Sequence, residues 1–471
     1  MREKFKGILL IFLVMCSMGL TYRLWFGRPP LEEGTAPRYE YAYFTPLPPL
    51  SEVVRPKEII FCGGEKPHLY RRGEEEYRRL WSRGRRTLAQ VLDPEKMKRC
   101  SSEELEAARE KAAFKLVYAF DPPFPLEFSS ERLATTGVDA RVITFLWGKD
   151  SRAIFMEGNE IYGLPLPEEA WSQDEFLPTA VKPGLQLPPV LVLNVVDEQA
   201  GETGCNSFET AETPGETGSL SLGIAGNAGT AQGESYEIRV SGEIFIEEEG
   251  LTAAEIMLEK EDLQREELVK AFFLDLSMAR RIEEKDGAFY YTNGEKGLRI
   301  YTSGLVEFTA PRLDSSLQQR MPYSQALQKG IENLSLYGGC PPSAYLCAAR
   351  NSGNGYRLSW CQVTDGLVWV GENAGCEIVL NEQGVTFYRR NFPVAGAEIA
   401  ARRPFRPYED ALRQAVCLYR DELPGKKATL LSLRPVYYLT AGKNGQAVPA
   451  WAVDFAETGV IYLHWSTLKP L

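Results

Sequence analysis

Residues 7–26, GILLIFLVMCSMGLTYRLWF, limit what this chain can be more than any other stretch. About 20 apolar residues rising about 1.5 Å each match a hydrocarbon core of about 30 Å, so the segment reads as a membrane-spanning helix. Arg2, Lys4 and Lys6 precede it and hold the N-terminus in the cytoplasm, which sends the bulk of the chain outside. The one charge in the run, Arg23, lies near its far end, where a long side chain reaches the headgroups. Tyr22, Trp25 and Phe26 suit the same interface. A cleaved signal peptide needs a shorter apolar run and small residues ahead of the cut, and nothing after Leu20 offers them. A lipoprotein needs a small residue before the modified cysteine, whereas Met15 precedes Cys16. The favoured reading is an uncleaved, single-pass anchor in the cell membrane. Within it Ser17 and Thr21, with Gly19 nearby, are small residues at a spacing that lets another helix come close, although small residues also occur in ordinary lipid-facing spans.

The chain has 471 residues, too many for one core, so two or three folded units outside the membrane are expected. A hydrophobic share of 44% supports ordinary cores. The net charge of −11 and the lack of a concentrated cationic surface speak against nucleic-acid binding. Arg71, Arg72, Arg78, Arg79, Arg83, Arg85 and Arg86 are the densest basic stretch; with Glu74, Glu75 and Glu76 among them, they read as a solvated helix face. The nine cysteines show no CxxC spacing. Cys340, Cys347, Cys361 and Cys376 cluster, which leaves one disulfide or buried thiols as alternatives.

Pattern then divides the rest. Residues 1–27 are the cytoplasmic tip and anchor, and 28–56, rich in Pro and Tyr, are an extended tether. Residues 57–130 form an N-terminal mixed α/β domain, with strands at RPKEIIFC and KLVYAFDPPFPLEF and helices over 74–92 and 101–114. Tyr77, Leu80, Trp81, Leu88 and Val91 are the buried stripe of the first helix. Residues 131–311 form a central antiparallel sheet-plus-helix domain, with turns at Glu157-Gly158-Asn159 and Asn293-Gly294. Within it, residues 200–234 hold almost no large apolar side chain and read as a flexible insertion. Residues 321–471 repeat one unit, a helix followed by antiparallel strands, with helices at 321–334 and 406–419. The fold class is α+β: a transmembrane helix and then antiparallel sheets, each flanked by helices.

Little in the sequence suggests catalysis. There are two histidines, His68 and His464, and no HExxH, GxSxG or Walker A motif. GIAGNAG, 223–229, lacks the Lys-Ser of a phosphate loop. Paired carboxylates with Trp360, Trp369, Trp451 and Trp465 could line a sugar cleft, but their alternation suits strands better. No catalytic residue, cofactor or metal site is assigned.

Several blocks, in order, resemble the YycH family of extracytoplasmic regulators: LTYRLW at 20–25, RPKEIIF at 55–61, YRRLW at 77–81 and LVYAFDPPFPL at 116–126. To these are added KAFFLDLSMARRIEEKDGAFYYTNGEKGLRIY at 270–301, read with a charged helix end before its turn, and VPAWAVDFAETGVIY at 448–462. Residues 200–234 and the cysteine content depart from the family. The resemblance implies an N-terminal mixed domain, two related sheet-plus-helix domains and no catalytic site. It also implies partners in the membrane, a sensor histidine kinase of the YycFG type and a YycI-like protein, and a role in cell-wall homeostasis whose sign differs between species. Leu13, Ser17, Thr21 and Leu24 are then the expected helix–helix contact. The runner-up is a ligand-binding module for a wall fragment or peptide, and an envelope-polymer hydrolase is the third reading.

Overall fold

The computed structural model describes residues 44–166 apart from 64–66, 94, 130–136 and 149–150. It describes 234–471 apart from 242–243, 248–250, 274–278, 312–319, 372–373, 420–424, 426 and 441–444, and between 167 and 233 only 184–186, 190–195 and 219–222. The expected membrane span and most of the 200–234 insertion lie outside these residues. Among the described residues no helix is long and apolar enough to cross a membrane.

The fold is α+β, and its antiparallel strands are extensive. The first sheet has the order β2-β1-β4-β5-β6-β7-β3, with β1 Glu58–Cys62, β2 His68–Arg71, β3 Lys98–Arg99, β4 Ala112–Pro125, β5 Asp139–Gly148, β6 Arg152–Glu157 and β7 Glu160–Pro165. Period-two alternation sets its two faces. Ile143, Phe145 and Phe155 point to a core shared with the helix Glu75–Val91, whereas Leu146 and Ile154 meet Leu105 of the helix Ser102–Lys111 on the other side. Ser101 and Glu104 close a capping box at the start of that second helix. On the first helix the expected stripe is buried at Tyr77, Leu80, Trp81 and Leu88, while Val91 is only partly covered. Trp81 meets Phe124 edge-on, with ring centroids 5.8 Å apart.

The sheet does not stop at residue 130. β4 pairs with β5 from Leu116↔Phe145 to Pro125↔Asp139, so strands expected in the central domain complete the N-terminal one. The long β4 needs a partner for each edge, and β1 supplies only one.

A second, antiparallel sheet draws on both sides of the expected break between 311 and 321. Strands Arg280–Glu283, Phe289–Thr292, Gly297–Ile300 and Val306–Thr309 lead into Gly384–Asn391 through the pairing Val306↔Arg390. Gly375–Asn381, Gly355–Thr364 and Ala344–Ser352 continue it. The helices Arg265–Phe272 and Tyr323–Leu336 cover its inner face over Leu298, Phe308, Leu358 and Ile378. The expected charged helix end is therefore wrong: Arg280–Glu283 is an exposed edge strand, where charge discourages further pairing. Cys347 and Cys361 form a disulfide across one hairpin of this sheet, Cα to Cα 5.8 Å.

The third sheet holds Lys427–Leu439, Gln446–Phe455 and Gly459–His464 under the helix Tyr408–Tyr419. The two repeat units thus build two sheets, each with its own helix, not one domain. The third sheet is also mixed. Glu234–Val240 joins Lys427–Leu439 in parallel, and Val190–Val195 pairs with Glu234–Val240. The insertion supplies a strand of its own, Ser219–Leu222, parallel to Val190–Val195, so this part pairs instead of remaining a loop.

One close approach makes the N-terminal packing sensitive. Tyr118 donates its hydroxyl to the carbonyl of Leu80, 3.0 Å, across the buried Gly84. A Cβ at Gly84 would lie 2.5 Å from that hydroxyl oxygen. Gly84→Ala gains about 1 kcal/mol of helix propensity but forces the tyrosine out of place, at about 1–3 kcal/mol. We expect net destabilisation in urea titration; a G84A protein more stable than the parent contradicts this packing.

Candidate functional site: the docked strap

Residues 44–56 were expected to end an extended tether. Instead they are strapped across two of the three sheets' helices, which corrects that expectation. The reason lies in the side chains: Val53 and Val54 are both buried, and burying such a residue contributes about 1.5–3 kcal/mol. A short helix, Leu50–Val53, packs against Tyr323–Leu336.

At one end the strap meets the second sheet's lobe. The Phe44 amide donates to the Ser335 carbonyl, 2.9 Å, and the Cys340 amide donates to Thr45 Oγ1, 3.0 Å. Gly339, at φ +84°, lies so close that a Cβ there would come 2.7 Å from Thr45 Cγ2. Beneath this seat the buried Arg390 donates to the Gly339 carbonyl and, at 2.7 Å, to Glu261. Burial pushes the Glu261 carboxyl up, and Arg390 pulls it back. Burial also raises the Cys340 thiol to about 11, which keeps it protonated.

At the other end the strap is held by the first lobe. Arg72 donates to the carbonyls of Pro56, 2.7 Å, and Arg55, 2.5 Å, and its guanidinium lies 3.6 Å from the centre of the Tyr345 ring, which belongs to the second sheet. Tyr77 donates its hydroxyl to the same Pro56 carbonyl, 2.5 Å; burial raises it to about 12, so it remains a donor. The Lys57 amide donates to Ala119, 2.7 Å, and starts the sheet. Midway, Arg85 reaches Glu52, 2.7 Å, and Ser51, 3.0 Å. A further tie joins the lobes directly, Tyr323 donating to the Pro123 carbonyl, 2.9 Å.

Sequence reading missed Arg72, placing it on a solvated helix face. It precedes the helix, in the turn after β2, and only 7% of it is exposed. That position, outside the helical period, was the available signal. Of its companions, Arg79 pairs with Glu76, 2.5 Å, as helix patterning implies. The expected contact residues Leu13, Ser17, Thr21 and Leu24 lie outside the described residues, as does GIAGNAG. Trp360, Trp369, Trp451 and Trp465 are all buried in cores, so they line no sugar cleft. His68 stacks on Phe61 in the first sheet, and His464 faces Glu255 at 3.7 Å in the third; they share no site. No cluster of three metal-ligating side chains occurs among the described residues.

Comparison with known proteins bears on this architecture. Residues 3–133 match the model of the YycH protein N-terminal domain. The chain carries a YycH N-terminal domain. Beyond it, the whole fold is similar to the crystal structure of YycH from Bacillus subtilis, with a TM-score of 0.53 at 11% identity over 89% of this chain and 98% of that one. Weaker likenesses reach an uncharacterized protein from Eubacterium rectale (TM-score 0.35, 11% identity, 50% of this chain and 90% of that one) and the Bacillus megaterium YpeB C-terminal domain (0.27, 12%, 45% and 96%). No curated protein matches. The YycH domain match starts ahead of the apolar run and takes in the strap.

Replacing Arg72 by Met leaves two buried carbonyls short of a donor and removes the ring contact, a loss of about 2–4 kcal/mol in strap docking. Tyr77→Phe removes one hydrogen bond, about 1 kcal/mol. Thermolysin, which cuts before bulky apolar residues, should cleave at Val53 and Val54 more than about tenfold faster in R72M and only a few-fold faster in Y77F. Equal cleavage in all three proteins contradicts the clamp.

Proposed function

We propose that this protein is a membrane-anchored, extracytoplasmic and non-enzymatic regulator of a sensor histidine kinase, working beside a YycI-like protein in cell-wall homeostasis. The observation that carries the reading is the docked strap. It lies directly after the segment leaving the apolar run, within the YycH-type domain, and is held by hydrogen bonds at both ends. A free tether would absorb any movement of the lobes, whereas a strap seated on two lobes passes a change in their arrangement to the segment ahead of it.

A kinase with nearly balanced states shifts only if its partner binds one state better. Packing of Leu13, Ser17, Thr21 and Leu24 against kinase helices supplies such a difference, because small side chains permit close backbone approach and Leu24 and Leu13 fill the seam. The net charge of −11 argues in the same direction, against a nucleic-acid role.

The test is a membrane two-hybrid measurement with the full chain and the kinase. Ser17→Leu together with Thr21→Leu should lower the association signal several-fold with expression unchanged. An undiminished signal removes the helix contact from the mechanism.

A further inference from the structure

Where the three lobes meet there is a cleft of about 110 Å³. Lys57 of the strap, Arg71 and Arg72 of the first lobe and Arg434 of the third face it, against one carboxylate, Glu58. Tyr345 of the second lobe and Ser432 complete the wall. Among the described residues that line it, four cations meet one anion, the reverse of the chain as a whole with its net charge of −11.

Among the described residues, three of these cations have no carboxylate within ion-pair distance. Arg72 is 7% exposed, yet its Nε and Nη2 donate to two carbonyls and its face lies on a ring, and none of these neutralises it. Arg434 has a buried Nε with no acceptor, and although Asp454 feels its charge, the two are not within ion-pair distance. Among the described residues Lys57 has no carboxylate within ion-pair distance either. Like charges gathered in a partly dry cleft repel one another, and an unpaired charge taken from water is costly. An arrangement of this kind is completed by an anion. Guanidinium forks and an ammonium, with a serine hydroxyl beside them, match the acceptor geometry of a phosphate or carboxylate group.

We infer that this junction is a binding site for an oxyanion, the phosphate or carboxylate group of an extracytoplasmic ligand. Such a group touches all three lobes and the end of the strap at once, so its binding holds one lobe arrangement in place. The inference stands independently of the kinase reading, since it concerns ligand binding by the chain alone.

The test uses the full chain in detergent at constant ionic strength, titrated with inorganic phosphate and separately with acetate, chloride serving as reference. Saturable binding and a concentration-dependent rise in melting temperature are expected with at least one anion. Binding of phosphate alone assigns a phosphate group, and binding of acetate alone a carboxylate. Lys57→Gln and Arg434→Gln should each weaken binding at least about tenfold while melting in chloride is maintained. Arg434→Lys, which keeps the charge, should retain most of it and serves if R434Q does not fold. No binding of either anion, or binding that K57Q and R434Q leave unchanged, overturns the site. A kinase association unaffected by these variants would not touch this result, so the two readings fail separately.

Discussion

The architecture turns on one buried cation. Arg72 ties the backbone of the strap at Arg55 and Pro56 to the first lobe and, through the Tyr345 ring, to the second. A guanidinium suits this role because it offers several fixed donors and a flat face at once, and lysine offers neither. Without it, those two carbonyls would each have one fewer donor, and Val53 and Val54 would be held by packing and the remaining ties from Tyr77 and Arg85. Arg390 does the matching work at the other end, beneath Gly339, but there Glu261 balances the charge. The contrast between a compensated and an uncompensated arginine is what marks the first end as a place where an anion is wanted.

The three sheets explain why such a junction exists. The first sheet carries a helix on each face, and the other two bury one face under helices of their own. The first two lobes share one continuous core, which also takes in Val53 and Val54 of the strap, and specific ties add to it. Tyr323 reaches Pro123, and the strand Gly355–Thr364 pairs within the second sheet and then, at Val363 and Thr364, with Leu367–Val370, which in turn lies parallel to Lys427–Leu439 of the third. A shift at one tie is felt at the others, because packed interfaces rearrange between discrete states and do not deform freely.

Much of the local structure was legible. The pattern of DARVITFLWG and the stripe from Tyr77 to Leu88 marked a strand and a helix where they occur, because side-chain direction follows from element geometry, although the strand is buried on both faces. The turn at Asn293-Gly294 formed where the dipeptide placed it, with Gly294 at φ +93°, although it is a four-residue loop, 293–296, and not a two-residue turn. What pattern could not supply was which strands share a sheet. Val306↔Arg390 joins residues far apart in sequence, and Glu237↔Lys427 farther still; alternation is the same whichever neighbour a strand chooses. The strap was hidden for a related reason. Prolines and tyrosines suit an extended tether, and only the consecutive Val53-Val54 hinted that this end of it is buried. Arg72 carried the same letter as its solvated neighbours and differed from them in position alone.

The central claim is that residues 44–57 and the lobes form one rigid connection. Amide hydrogen exchange on the full chain tests it at the two anchoring donors, the amides of Phe44 and Lys57, which bond to Ser335 and Ala119. A docked strap predicts that both exchange as slowly as amides in the middle of β4, within about tenfold. Exchange of both at the rate of an unstructured peptide, with β4 still protected, would show a free tether and contradict the account.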